Sequence, residues 1–228
     1  MAIYHNEPTV AYIDKMGDDL TVVNAARVSF NKRKYELGPK DIKLIDYLAK
    51  HGHWSPFSHC FMQFRIKAPI FVARQLAKHQ VGLAWNEVSR RYVDFEPEWY
   101  CPEHWRGRAA DNKQGSSGRV AEQQNATSEL EMANVSGFSH YQHLLQCGVA
   151  PEQARMVLPQ TLMTEWYWSG SLAAFARVVN QRRHKEAQAE TAAVADWIDT
   201  YANELFPYSW DALTNTNNHQ GDNANEQS

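Results

Sequence analysis

The chain has 228 residues, of which 43% are hydrophobic and 12% aromatic, with eight Trp; this fills one large core or two small ones and excludes a wholly disordered polymer. Charge is nearly balanced, 23 basic against 26 acidic residues for a net of −3, which argues against a general nucleic-acid binder. No apolar run approaches the roughly 18 residues of a membrane helix, the first residues lack the basic and apolar regions of a signal peptide, and Cys60, Cys101 and Cys147 are too scattered for a disulfide framework, so a reducing cytoplasm is the expected setting.

In chain order, Val10–Asp14 reads as a short strand, and Asp18 or Asp19 caps a helix over Leu20–Arg27. Gly38-Pro39 opens a second helix, with Ile42, Ile45, Leu48 and Ala49 on one face and Gly52 ending it. Cys60, Met62, Phe64 and Ile66 then alternate with His59, Gln63, Arg65 and Lys67, the pattern of a half-buried strand with a basic outer face. Pro69 suits the first turn of a helix from Ile70 to about His79, with Arg74, Gln75, Lys78 and His79 on its polar side. Val88–Phe95 reads as a strand. The polar stretch from about 106 to 118 reads as a surface loop, and Val120–Cys147 as a helix interrupted at Ser136-Gly137. A short helix from Pro151, a strand over Thr161–Trp168, and helices over Ser171–Arg183 and Lys185–Leu205 complete the pattern. Residues 1–210 form the expected single catalytic domain, and the Asn/Gln-rich tail from 211 to 228 is expected to be disordered. Strands and helices without regular βαβ alternation predict an α+β fold.

Two segments carry chemistry. His51-Gly52-His53-Trp54-Ser55-Pro56-Phe57-Ser58-His59 holds three histidines in nine positions. It reads as a metal site, as a His-rich turn, or as a surface that stacks on a cofactor. The metal reading is disfavoured because no Asp or Glu occurs between Asp46 and Glu87, so a carboxylate base is not at hand. The second segment, Arg74 to Tyr92, lies in the most basic part of the chain: between Arg65 and Arg91 there are six Lys or Arg and one acid, Glu87. A solvated helix face explains most such runs, but here helix, loop and following element can converge on one point. Arg forks suit phosphate, and Asn86 and Glu87 suit the polar edge of a heterocycle. The local excess of positive charge predicts a discrete anionic ligand.

This second segment closely resembles the signature of the flavin-dependent thymidylate synthases, an Arg-His-Arg triplet followed by Asn-Glu, Ser and Arg-Tyr. Lys78-His79-Gln80, Asn86-Glu87, Ser89 and Arg91-Tyr92 take those places. Further matches are Asn24-Ala25-Ala26-Arg27-Val28-Ser29, His51-Gly52-His53, Pro56-Phe57, His59, the run from Lys67 to Gln75, Ala154 to Pro159, Arg182 and Ala187-Gln188, so the resemblance spans about residues 10–205. Several blocks in order are far more specific than one short pattern. The departures are Lys78 and Gln80 for two arginines, a loop Val81–Trp85 one residue longer, Ser58 where Glu is common, and Gly170-Ser171-Leu172 where an Asn often contacts flavin.

The resemblance implies an antiparallel sheet flanked by helices, a homotetramer with shared active sites, and conversion of dUMP to dTMP with methylenetetrahydrofolate, NADPH and FAD. Absence of a Gly-X-Gly-X-X-Gly element agrees with FAD held outside a dinucleotide fold. It assigns Arg182, His53 and Ser89 to the catalytic group. It assigns Gln75, Lys78, Glu87, Ser89, Arg90, Arg91, Arg155 and Arg182 to dUMP, and Ser29, His53, Ser55, Lys78, His79, Gln80, Asn86 and Arg177 to FAD. No metal, nucleic acid or membrane is expected. Ser89 admits a nucleophile or a phosphate-binding reading; a serine without a placed base is a weak nucleophile, which favours the second. Cys60 falls on the apolar face of its strand and reads as core. The rival readings are a non-catalytic nucleotide- or flavin-binding module and a His-metal hydrolase.

Overall fold

The computed structural model describes residues 2–92, 95–109, 115–184 and 187–215. Strands β1 (Ile3–His5) and β2 (Thr9–Met16) lead into helix α1 (Asp19–Arg27). Asp18 caps α1: its carboxylate accepts from the Thr21 N–H at 2.8 Å, and the Thr21 hydroxyl accepts from the Asp18 N–H at 3.2 Å. Helix α2 (Pro39–Lys50) starts at proline as expected. After a 3-10 turn at Pro56–His59 come β3 (Phe61–Pro69), α3 (Ile70–Leu76) and β4 (Leu83–Glu87). Short strands β5 (Glu98–Tyr100), β6 (Arg106–Arg108) and β7 (Ser116–Arg119) precede the long α4 (Gln123–Gln146). Helix α5 (Pro151–Ala154), a 3-10 turn at Arg155–Val157, β8 (Met163–Ser171), α6 (Leu172–Arg182), α7 (Ala189–Leu205) and α8 (Pro207–Thr214) finish the fold.

The main sheet has the order β2-β3-β8-β4 and every pairing in it is antiparallel. The alternation in β3 is realised: Met62, Phe64 and Ile66 are fully buried, while Phe61 and Arg65 face outward. On β8, Trp166 and Trp168 join the same inner face. Phe175 of α6 meets Phe64 and Trp168 edge-on, with centroids 5.2 and 5.3 Å apart, and Trp85 of β4 stacks on Trp166 at 4.4 Å. Each such side chain contributes about 1.5–3 kcal/mol of burial, with further gain from the edge-to-face geometry. Cys60 is core as expected; burial first, and the Asp18 and Asp19 charges next, push its thiol up to about 12. Among the described residues, no helix is long and apolar enough to cross a membrane.

Several elements differ from the sequence reading. The strand expected over Val88–Phe95 lies earlier, at Leu83–Glu87, because the longer loop after α3 brings Leu83 opposite Gly170; the Val88 N–H closes the ladder on Glu165 O at 2.8 Å and the chain then turns away. Helix α3 stops at Leu76, not His79. Helix α4 has no break at Ser136-Gly137. Its glycine serves close packing: a Cβ there would lie 2.9 Å from Pro159 Cδ and 3.0 Å from Val157 O. The expected polar loop contributes paired strands β6 and β7 at its two ends, and residues 110–114 lie outside the described residues. The domain boundary expected at 210 falls inside α8, where Ala212 is buried and the Asn180 side chain donates to Leu213 O at 2.9 Å. The disordered-tail expectation for residues 216–228 lies outside the described residues.

The α1–α2 connection is fixed by one buried carboxylate. Asp41 accepts from Arg27 Nη2 at 2.7 Å and from the Gly38 N–H at 3.0 Å, with Lys34 Nζ at 3.5 Å. Burial by itself raises the Asp41 pKa, but the Gly38 N–H, Arg27 and Lys34 together outweigh it and hold the carboxyl below its ordinary value. The ionised form therefore stabilises the fold fully above the ordinary aspartate pKa, and that contribution is lost as pH falls through the lowered folded-state value. Asp41→Asn should cost about 1–3 kcal/mol in urea unfolding at neutral pH, and the gap to wild type should narrow on acidification. A gap of constant size down to about pH 2 would contradict the assignment.

Candidate active site

The site is organised around the two ends of β4. At its start, α3 ends and the chain tightens, with Ala77 N–H bonded to Ala73 O at 2.8 Å and His79 N–H to Leu76 O at 3.0 Å. Gly82 then adopts φ +76°, a conformation that favours glycine. A Cβ at Gly82 would lie 3.1 Å from Ala174 Cβ, and one at Gly170 would lie 2.4 Å from Leu83 Cδ2 and 2.6 Å from Gly82 O. The two glycines let the turn press against the start of α6, where Ser171 N–H donates to Gly82 O at 3.1 Å and Ser171 Oγ caps Ala174 N–H at 3.2 Å.

This turn gathers one set of candidates. Arg182 Nε donates to His79 Nε2 at 2.9 Å, and Arg177 Nη2 donates to Val81 O at 2.7 Å. Burial first, then the Arg182 and Arg177 charges, lower the His79 pKa, so the imidazole is held neutral. Burial also lowers the Arg182 pKa, yet a guanidinium remains charged at physiological pH. Gln75 is clamped to α7: its amide donates to Gln188 Oε1 at 3.0 Å, and its carbonyl oxygen accepts from Thr191 Oγ1 at 2.7 Å. Lys78 and Gln80 are exposed beside this set.

A second set sits past the other end of β4. Glu87 accepts from Thr164 Oγ1 at 2.7 Å and from Trp85 Nε1 at 3.2 Å, which aims its carboxylate along the inner face of the sheet edge. Ser89 Oγ accepts from Arg91 Nε at 3.1 Å and from Arg155 Nη1 at 3.5 Å. Among the described residues neither Arg91 nor Arg155 has a carboxylate partner, so two guanidinium groups converge on one hydroxyl with charge to spare. Arg90 turns inward instead: it donates to Phe95 O and lies 4.5 Å from the centre of the Phe95 ring. Glu87, Arg90 and Arg155 line a cavity of about 350 Å³, together with Arg65, Lys67 and Glu98. Arg65 and Lys67 are neutralised there by Glu165 at 2.7 Å and Glu98 at 2.5 Å. Among the described residues no base contacts Ser89, and His79 lies at the opposite end of β4, bonded to Arg182.

The remaining candidates form a third, exposed group. Ser29 lies in the 3-10 turn Val28–Phe30, and His53 and Ser55 follow α2. The Pro56–His59 turn packs on both α1 and α6, so this group lies against the same helix as the first set. Tyr47 carries His51 and His53, with ring centroids 4.3 and 6.1 Å away. A cavity of about 650 Å³ opens beside Ser29, lined by Asn24, Asn31, Lys32, Arg33 and His59. Asn86 pairs with Tyr167 on the outer sheet face and is exposed. Among the described residues no group of three His, Cys, Asp or Glu is placed to hold a metal ion. The sequence reading missed the supports Thr164, Thr191 and Tyr47, and gave Gln188 no role. Thr164 and Thr191 are buried polar residues within apolar elements, and only the fold reveals their partners.

Against known proteins, residues 11–208 match the family described as thymidylate synthase complementing protein. A flavin-dependent thymidylate synthase from Thermus thermophilus is 40% identical over 204 residues, covering 90% of this chain and 74% of that one. Another from Thermosipho africanus is 39% identical over 203 residues, covering 88% of each. Among solved structures, a UMP/dUMP methylase from Streptomyces cacaoi bound with 5-Br dUMP superimposes with a TM-score of 0.84 at 31% identity, covering 93% of this chain and 97% of that chain.

The close approach at the head of β4 makes a direct prediction. Gly170→Ala inserts a methyl 2.6 Å from backbone Gly82 O, which cannot swing aside as a side chain does. We expect a loss of about 1–3 kcal/mol in denaturant unfolding. Wild-type stability would mean that β4 can shift on β8 without cost.

Proposed function

The chain belongs to the flavin-dependent thymidylate synthases, and from that premise we propose that it methylates dUMP to dTMP, taking the carbon from methylenetetrahydrofolate and reducing equivalents from NADPH through FAD. The observation that carries the reading for this chain is the pair of polar clusters at the two ends of β4, one shaped for a phosphate and the other for a pyrimidine.

Ser89, Arg91 and Arg155 hold the dUMP phosphate: two guanidinium forks and a hydroxyl supply charge-assisted hydrogen bonds to its oxygens. Their convergence on the Ser89 hydroxyl, with no base in contact among the described residues, supports a binding role for Ser89 over a nucleophilic one. Glu87, fixed by Thr164 and Trp85, accepts from sugar or base donors. Arg90 shapes the wall of the cavity through its contact with Phe95. Arg182 meets the pyrimidine and stabilises the negative charge that develops on the ring when C5 becomes nucleophilic, and Gln75 and Lys78 complete that end.

The third group, taken together with Lys78, Gln80 and Arg177 at the first set and Asn86 on the outer sheet face, fits FAD by its donor chemistry. The exposed hydroxyls of Ser29 and Ser55, the ring of His53 and the amides of Gln80 and Asn86 suit a polar aromatic ring system, and the cations Lys78 and Arg177 suit its pyrophosphate. When bound, FAD would supply the redox chemistry, while the protein orients and polarises. Lys78 contributes a point charge where an arginine would contribute a fork.

Five residues of β4 span roughly 16 Å, so one chain holds its phosphate cluster and its Arg182 cluster about a strand length apart. This supports active sites completed by a second subunit within a homotetramer. Apolar side chains ring the phosphate cluster in the single chain, with Tyr92 and Met156 each 77% exposed.

The purified protein should be yellow, or become so with FAD, its flavin band should bleach with NADPH, and it should form dTMP from dUMP. Assaying UMP alongside dUMP tests whether the 2′-hydroxyl is excluded. A protein that binds no flavin and turns over neither nucleotide would overturn the proposal. Arg182→Ala should fold normally and lose about 3–4 kcal/mol of transition-state stabilisation, a drop of two to three orders of magnitude in kcat; near-normal turnover at saturating dUMP would remove Arg182 from the chemistry. Ser89→Ala should raise KM for dUMP with measurable kcat retained, whereas complete loss of turnover with unchanged dUMP binding would restore the nucleophile reading.

A further inference from the structure

The sequence resemblance places His79 on the flavin side, but its Nε2 already has a partner. It accepts a hydrogen bond from Arg182 Nε at 2.9 Å, across 103 positions of sequence and in a partly buried setting. A guanidinium has donors and no acceptor. The bond therefore requires a neutral imidazole with its proton on Nδ1, the state that burial and the flanking Arg182 and Arg177 charges favour.

The support beneath His79 is rigid on three sides. One turn earlier, Gln75 is bonded to both Gln188 and Thr191 of α7. Beyond it, Val81 O is held by Arg177 and Gly82 O by the Ser171 N–H. The imidazole is thus anchored to α6 and α7 through its own turn. Arg182, by contrast, ends α6 on a long side chain with many rotamers. Binding that side chain at Nε leaves both terminal amino groups, four N–H donors in one plane, for a ligand.

We propose that His79 is a positioning residue for Arg182: its Nε2 grips the guanidinium from behind, so that the fork formed by the two terminal amino groups is presented ready-made to the uracil edge of dUMP. This deepens the reading of Arg182 as a dUMP contact and rests on it. Preorganisation of this kind improves nucleotide affinity, because the side-chain order is in place before the ligand arrives.

The test uses the flavin-loaded full-length protein and measures dUMP affinity by calorimetry, flavin content by absorbance and unfolding temperature. His79→Phe keeps the ring volume and removes the acceptor. His79→Gln places an amide oxygen near the position of Nε2 and keeps it. We expect His79→Phe to weaken dUMP about tenfold, the scale of losing one charge-assisted hydrogen bond. His79→Gln should restore affinity to within about threefold of wild type, and flavin content should hold in both. In the Arg182→Ala background, His79→Phe should weaken dUMP no further, since the group it positions is gone. If His79→Phe does not fold, the comparison of His79→Gln with His79→Ala carries the same test. Wild-type affinity in His79→Phe, or equal loss in Phe and Gln variants, overturns the positioning role, as does loss of flavin in place of loss of dUMP. If Arg182→Ala binds dUMP as wild type does, the underlying dUMP reading of Arg182 fails first and is recognised as such.

Discussion

The arrangement of the site depends on a backbone contact that only two glycines permit. Gly82 and Gly170 face each other where β4 enters the sheet, and a methyl group on Gly170 would fall 2.6 Å from Gly82 O. That approach sets the Leu83–Gly170 register, and through it the place of every residue on β4. It also lays the turn at 77–82 along α6, with Gly82 at Ser171, its N-cap, Val81 at Arg177 and His79 at Arg182, its last residue. The far end of the strand, at Glu87, is then held by the ladder to β8, by the stack of Trp85 on Trp166 and by the Thr164 hydroxyl. A register slip by one residue would reverse every side chain on β4 and separate Glu87 from Thr164. Lys78, Gln80 and Gly170-Ser171-Leu172, where the sequence reading finds departures from the family signature, all lie at this junction.

The local signals in the sequence were reliable where one physical preference dominated. Asp18 capping, Pro39 at the first turn of α2, and strict alternation over Cys60–Lys67 each leave the chain one low-energy choice, and the structure takes it. The strand expected over Val88–Phe95 failed because Ser89 to Tyr92 close a turn, with the Tyr92 N–H bonded to Ser89 O at 2.9 Å. The Arg90 guanidinium lies over the Phe95 ring as a cation over a π-face, and residues 93 and 94 lie outside the described residues. Gly137 looked like a helix breaker, since isolated glycine weakens helices, but the neighbouring Val157-Leu158-Pro159 segment needs the missing side chain. The length of α8 was hidden by the polar composition that follows Trp210, where Ala212 and Leu213 are the residues of the helix that face the core. Of the candidate site, the residue types and their order were legible, while their grouping was not. Nothing in the spacing says that Gln75 will be held by Thr191, 116 positions away, or Glu87 by Thr164, 77 positions away.

Lys78 and Gln80, which stand where the resemblance leads one to expect arginines, are also easier to understand in three dimensions. Arg74 and Arg90 are the obvious substitutes by proximity in sequence. Arg90, however, is turned into the wall of the cavity at the far end of β4. A guanidinium reaches this turn instead from α6: Arg177 donates to Val81 O, and its charge is felt at His79. A guanidinium delivered from a neighbouring helix can compensate in charge for one lost from the turn. It does so from a different direction, and with one of its donors already committed to a carbonyl.

That geometry bears on why a histidine stands between Lys78 and Gln80. If the triplet served only to neutralise an anion, all three positions would be free to drift once Arg177 supplied charge. His79 is different because its partner is a side chain and its useful property is acceptance. Lysine or arginine at that position would repel Arg182, and an apolar residue would leave it loose. Glutamine could accept, but it has an extra flexible bond and lacks the planar ring that packs into a partly buried site. A neutral imidazole supplies an acceptor on a rigid ring, and the surrounding positive charge that would be costly for a second cation is what keeps it neutral. Placing a base among arginines thus protects the state in which it orders one of them, and the same charges that suit the turn for an anionic ligand also maintain the tautomer on which the orientation of Arg182 rests.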